Sequence, residues 1–253
     1  MVDFFDNFLK IRREYPKIFW TYIDVAKNKA VSNSGRSKRL LKKAENKAEN
    51  FNNLIHLANT WVELFNDKEM AEQVLKLAEE KANNFYDVIE LSENLVKLLN
   101  DEKHAKQLIQ NLIKETEKSN DNLNIINDWT SIASVWMELF NDVKKTEQLL
   151  RKAETYAEHV EQFTYLALEW ILILNDTTNA KRVLRKSEKF YVEFCYEWMD
   201  VAKAWMEMLK NNEEAQKVLF RAEKKTNDID ELKAIAKARK DLFGNKKTDG
   251  TNH

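Results

Sequence analysis

The stretch Ala133-Ser134-Val135-Trp136-Met137-Glu138-Leu139-Phe140-Asn141-Asp142 decides the fold. Trp136, Leu139 and Phe140 follow Ala133 at i+3, i+6 and i+7, which is one face of an α-helix. Asn141-Asp142 breaks the stripe. An aspartate there is a good N-cap for a following helix, because its carboxylate accepts free backbone N–H groups and meets the positive end of the helix dipole. The stretch reads as the end of one helix and the beginning of the next.

Outward from this stretch the pattern recurs. Ala58-Trp61-Leu64-Asp67, Ala167-Trp170-Ile173-Asp176 and Ala202-Trp205-Met208-Asn211 repeat it. Ser92-Leu95-Leu98-Asp101 is a degenerate copy, and Ala236-Arg239-Leu242-Asn245 ends the series. Successive small residues lie 34, 41, 34, 35 and 34 positions apart. A second half-motif follows each acidic cap: a small residue, an apolar pair, then Ala-Glu or Ser-Glu. It appears as Ala71, Val74-Leu75, Ala78-Glu79; Thr146, Leu149-Leu150, Ala153-Glu154; Ala180, Val183-Leu184, Ser187-Glu188; and Ala215, Val218-Leu219, Ala222-Glu223. Leu40-Leu41 and Ala44-Glu45 fit the same half near the start. Each unit is therefore a helical hairpin. Its small residues allow close helix approach, and Trp61, Trp136, Trp170 and Trp205 form the structural core of the repeat. One hairpin cannot bury its apolar face alone, so the units must stack.

These motifs resemble the tetratricopeptide repeat (TPR) family over about residues 20 to 243, with Ala71, Leu75 and Ala78 matching its second-helix spacing. The family's helix-A Gly is replaced by Ala58, Ser92, Ala133, Ala167 and Ala202, and its inter-repeat Pro is absent. The resemblance implies an all-α fold: a right-handed α-solenoid of about six hairpins with N- and C-terminal capping helices. Residues 1–15, with Phe4, Phe5, Phe8 and Leu9 on one side, are expected to form the N-terminal cap. Repeats are expected over 16–227, with Pro16 in a first helical turn, a C-terminal capping helix over 228–243 and a disordered tail over 244–253. Ser32-Asn33-Ser34-Gly35 is expected to be a loop. The long interval exceeds its neighbours by seven residues, and the excess is placed around Ser119–Asn124, as a polar loop or a partner-contacting one. No domain boundary is expected.

Composition agrees with helices. The 253 residues include only 3 Gly and 1 Pro, too few for the turns that sheets and phosphate-cradling loops require. One Cys excludes an intrachain disulfide framework and a Cys-based zinc module. No apolar run approaches the roughly 20 residues of a membrane span. Asp3 and Asp6 stand where a secretion signal needs positive charge. The expectation is a soluble, cytoplasmic protein. Its net charge of −1 gives no global attraction to nucleic acid.

No catalytic motif is present, so neither an enzyme nor a cofactor is expected, and no metal site. His56, His104, His159 and His253 are scattered; His56 alone points toward an inward face, as a ligand contact or a packing residue. Cys195 reads as a small buried thiol. The Glu of each Ala-Glu pair is expected at a solvent-facing helical position in a structural role. Basic clusters at Arg36–Lys43 and at Lys233, Lys237, Arg239, Lys240, Lys246 and Lys247 are solvated faces or, alternatively, phosphate-contacting edges.

In the TPR family the first helix of each hairpin lines a concave peptide groove. By resemblance, that face here carries Ile55, Asn59, Val62; Ile89, Glu93, Val96; Thr130, Ser134, Met137; Thr164, Leu168, Ile171; and Met199, Lys203, Met206. Glu93, Ser134 and Leu168 stand where the family's carboxylate clamp would be, so that mode of binding is not expected. Aliphatic and Met side chains suit an apolar segment of another protein, unless the hairpins bury them against one another. The expected function is a non-catalytic scaffold or adaptor that binds a protein or peptide. The alternatives are a nucleic-acid-binding helical repeat using the terminal basic patches, similar in hairpin length to the pentatricopeptide family but without its Gly and Pro signals, and a peptide-sensing regulatory subunit.

Overall fold

The computed structural model describes residues 18–118, 124–190 and 194–244. The expected capping helix 1–15, Pro16, most of the loop 119–124 and the tail beyond Gly244 lie outside them. Among the described residues the architecture is all-α, with thirteen helices and no strand. They are α1 (Ile18–Lys29), α2 (Ser34–Glu45), α3 (Phe51–Phe65), α4 (Lys68–Lys81), α5 (Phe85–Asn94), α6 (Glu102–Lys118), α7 (Ile125–Phe140), α8 (Val143–Glu154), α9 (Val160–Leu174), α10 (Thr177–Phe190), α11 (Cys195–Glu207), α12 (Asn212–Lys225) and α13 (Ile229–Phe243).

The chain divides into two compact units, Met1–Glu117 and Lys118–His253. The division falls at the single long interval of the repeat. In the first unit α1 packs on α2 and α3 on α4, while α3 also contacts α1 and α5. In the second, the pairs are α7/α8, α9/α10 and α11/α12. There each first helix also packs on the next first helix: α7 on α9, α9 on α11, and α11 on α13.

The hairpin turn has one recurring geometry. Asn66, Asn100, Asn141 and Asn175 adopt the left-handed conformation, with φ of 48°, 61°, 48° and 51°. Asn is one of the few non-Gly residues that tolerates it. The next residue caps the second helix: Asp67 accepts from Met70 N–H, Asp101 from His104, Asp142 from Lys145 and Asp176 from Asn179. The amides of Asp67, Asp101, Asp176 and Asn211 reach back to the carbonyls of Trp61, Leu95, Trp170 and Trp205. In the last hairpin Lys210 takes the left-handed position, at φ 52°.

Two local expectations are corrected. Gly35 is helical, because Asn33 caps α2 by accepting from Arg36 N–H and so starts the helix within the expected loop. The degenerate copy is not a plain α-helix: α5 passes into a π-helical turn over Leu95–Leu99.

The four repeat tryptophans are buried at no more than 2% exposure. Trp136→Ala is therefore expected to cost about 3–5 kcal/mol, read by urea unfolding; an unchanged midpoint would contradict a core role. The left-handed cost at Lys210 predicts that Lys210→Gly stabilises by about 1 kcal/mol, whereas Asn141→Ala destabilises by a similar amount. Thermal unfolding of the two variants checks both signs.

Candidate protein-binding surface and the Trp–Glu–Arg junctions

Two of the repeat glutamates, Glu154 and Glu188, are not at the solvent-facing positions that the sequence suggests, whereas the Glu79 side chain is 38% exposed. The Glu154 side chain is 7% exposed and that of Glu188 10%. Each lies at a junction between hairpins. The Trp170 indole Nε1–H donates to Glu154 Oε1 at 2.9 Å, and Arg182 closes on the same carboxylate with both terminal nitrogens, at 2.5 and 2.9 Å. One repeat later Trp205 Nε1–H donates to Glu188 Oε1 at 2.7 Å, while Arg221 pairs with Oε2 at 2.5 Å. In the closing copy Arg239 occupies the Trp position and pairs with Glu223 at 2.7 Å. The burial of these carboxylates follows from the pairing: a charge leaves water only when partners satisfy it.

Cations from the second helices cover the aromatic core. Arg151 and Arg182 lie 5.5 and 5.9 Å from the Trp170 ring, Arg185 lies 5.7 Å from Trp205, and Lys152 lies 5.8 Å from Trp129. Lys186 and Lys225 lie 5.1 Å from Phe163 and Trp198 respectively. Such contacts bury an apolar stem and place a cation over a ring face.

In the first unit Glu45 and Trp61 have the same spacing as Glu154 and Trp170, but Glu45 Oε2 and Trp61 Nε1 are buried and have no hydrogen-bond partner among the described residues. Lys38 instead reaches Asp67 at 2.9 Å and lies 5.1 Å from the Phe65 ring. Its hydrogen bond holds the Asp67 carboxyl below the usual carboxylate range.

The expected partner face divides between buried and accessible positions. In the first unit Ile55 is buried, at 5% exposure. Asn59 is half-buried and donates to Asn94 Oδ1 at 2.7 Å. Val62, Ile89, Glu93 and Val96 are half-buried, with Val96 inside the π-helical turn. In the second unit Thr130 is buried, its hydroxyl 2.9 Å from that of Tyr165 on the neighbouring first helix. Ser134 and Lys203 are exposed, while Met137, Thr164, Leu168, Ile171, Met199 and Met206 are half-buried. First helices that pack side by side cover the flanks of the stripe and leave its crest open.

That crest is in register across α7, α9 and α11. Ser134, Leu168 and Lys203 form one row, Glu138, Leu172 and Glu207 another, and Ser131, Tyr165 and Asp200 a third. Leu172 is 67% exposed and Tyr165 36%. Burial, and then the Glu161 charge, push the Asp200 carboxyl up. Tyr165, Glu161 and Asp200 were missed by the sequence reading; the 34–35 residue register applied to Ser131 and Asn127 would have found them.

Half-buried His56 stands 4.7 Å edge-on to Trp20, and burial, with Lys27, lowers its pKa. Burial pushes the Cys195 thiol up, and its Sγ lies 3.7 Å from the Glu231 carbonyl. Of the basic clusters, Lys38 pairs with Asp67, Lys233 with Asp230 and Arg239 with Glu223. Among the described residues no group of His, Cys, Asp and Glu is placed to hold a metal ion, and no helix is long and apolar enough to cross a membrane.

Neither a protein-family model nor a curated protein matches the chain. Among solved structures, a similar chain is residues 1–338 of the Assembly Chaperone of RpL4 (Acl4). It has 17% sequence identity and a TM-score of 0.29, with 90% of this chain and 96% of that one covered.

Burial holds the Glu188 carboxyl above its ordinary pKa, outweighing Trp205 and Arg221. A carboxyl whose folded pKa exceeds its unfolded one favours folding in its protonated form. That contribution is complete below the unfolded pKa and is lost as the pH rises through the folded one. Glu188→Gln removes the titration. The melting temperature of the variant relative to the parent should therefore climb as the pH rises above the ordinary glutamate range; a flat or falling difference would contradict the shift.

Proposed function

We propose that the protein is a non-catalytic interaction scaffold or adaptor, a TPR-like repeat that binds a partner protein or peptide along the first-helix faces of its hairpins. The observation that carries this reading is the crest of the second unit. Three consecutive first helices present aliphatic, Met and Tyr side chains in register, partly open to water. Meanwhile the four repeat tryptophans are buried in the core, as their spacing predicts. Half-exposed apolar side chains at one position per repeat suit a segment laid across several hairpins. In this reading α13 closes the array as its C-terminal cap.

A photo-crosslinking residue placed at Ser134 or Lys203, both exposed on first helices, tests it against the same residue at Gln148 or Gln216, exposed on second helices. In extracts of the native cell the first-helix positions should give discrete protein adducts and the second-helix positions should not. Adducts confined to the second-helix positions, or a nucleic-acid adduct in their place, would overturn the proposal.

A further inference from the structure

Charge in the second unit is segregated by helix. The first helices α7, α9 and α11 carry two, two and three acidic side chains and a single cation, Lys203. The second helices α8, α10 and α12 carry four, five and four Lys or Arg against two, one and three acidic side chains. The two sets differ in what their charges do. Many of the cations are committed within the protein: Arg151, Arg185, Lys152 and Lys186 cover aromatic rings, while Arg182 and Arg221 close on Glu154 and Glu188. On the first-helix crest, Glu138, Glu161, Asp200 and Glu207 are exposed, and none forms an ion pair among the described residues.

The apolar and acidic groups are interleaved. Leu172, 67% exposed, stands in a row between exposed Glu138 and Glu207, and Tyr165 in a row with exposed Asp200. Tyr165, Leu168 and Leu172 are spaced i, i+3, i+7 along α9, a stripe two helical turns long. We propose that this face holds an amphipathic segment of a partner protein rich in Lys and Arg. Its apolar side chains seat on Tyr165, Leu168 and Leu172, and its cations lie against the glutamates and aspartate on either side. Charge complementarity selects this occupant: an acidic segment would bring like charges together over a half-apolar surface, where repulsion is poorly screened. The inference rests on the scaffold reading and adds the chemistry of what the scaffold holds.

The test uses the full chain and fluorescently labelled helical peptides of about 18 residues. One has Leu on one face and Lys on the other. A second replaces every Lys with Glu, and a third scrambles the Lys peptide so that its apolar stripe is lost. Fluorescence anisotropy should show binding of the Leu/Lys peptide alone, weakening as salt rises from about 50 to about 300 mM. Glu138→Lys with Glu207→Lys, and separately Leu172→Glu, should each weaken it about tenfold or more. All of these substitutions lie at exposed positions, and unchanged helical circular dichroism certifies the fold. The milder pair Glu138→Gln and Glu207→Gln should give an intermediate loss.

Tighter binding of the Glu peptide, abolished by Leu172→Glu, would overturn the basic-partner inference and leave the scaffold reading standing. Equal binding of the scrambled peptide, or binding of the Lys peptide untouched by any substitution on this face, would also overturn it. If no peptide binds and the crosslinks from Ser134 and Lys203 fail too, both readings fall together.

Discussion

The hairpin turn is the constraint on which the rest of the structure depends. At four turns an Asn enters the left-handed region and the following Asp caps the second helix. At three turns the capping residue's own amide is tied back to the carbonyl of the repeat Trp. This tie fixes the second helix relative to the Trp that will face the neighbouring hairpin. The ring fills the junction; at Trp170 and Trp205 the indole N–H reaches a Glu on the preceding second helix, and an Arg from the hairpin's own second helix closes over that Glu. Turn, core and junction are thus successive consequences of one local geometry. Glycine is not needed for it, because asparagine takes the one position where φ is positive.

Much of this was legible in the sequence, and the reason is periodicity. A Trp at a fixed distance from a small residue, followed by Asp at a fixed distance beyond it, can be read without coordinates because both interactions are local to the helix and its cap. What was not legible involves partners distant in sequence. Glu154 looks like a surface residue on its own helix; only the approach of Trp170 and Arg182 makes it a buried acceptor. Asn141 reads as a breaker, but its left-handed backbone is a property of the turn. The π-helical turn at Leu95–Leu99 has no sequence counterpart, since the spacing from Ser92 to Asp101 equals that from Ala58 to Asp67. The division into two units coincides with the long interval, a feature that sequence shows but whose consequence for packing it does not.

The candidate surface was legible to a similar depth. The first-helix positions follow from the repeat register, and most of them remain at least partly open. Burial of Ile55 and Thr130 shows where that reasoning stops, because the width of the open crest depends on how closely adjacent first helices approach. The Thr130–Tyr165 and Asn59–Asn94 hydrogen bonds mark those lines of approach.

Charge segregation in the second unit follows from the same packing. A second helix must cover the rings of its own and the neighbouring first helices, and long cationic side chains do this well, with an apolar stem on the ring and a head in water. Lys and Arg therefore accumulate on the second helices for reasons internal to the fold. The first helices have no such requirement on their outward crest. Their acidic side chains take no part in the junctions described and stand beside exposed Leu172. Uncompensated charge beside uncovered apolar surface costs stability in the free chain, through repulsion on one side and lost burial on the other. A surface with both features is relieved of both costs by the same ligand, one that brings cations and an apolar stripe together.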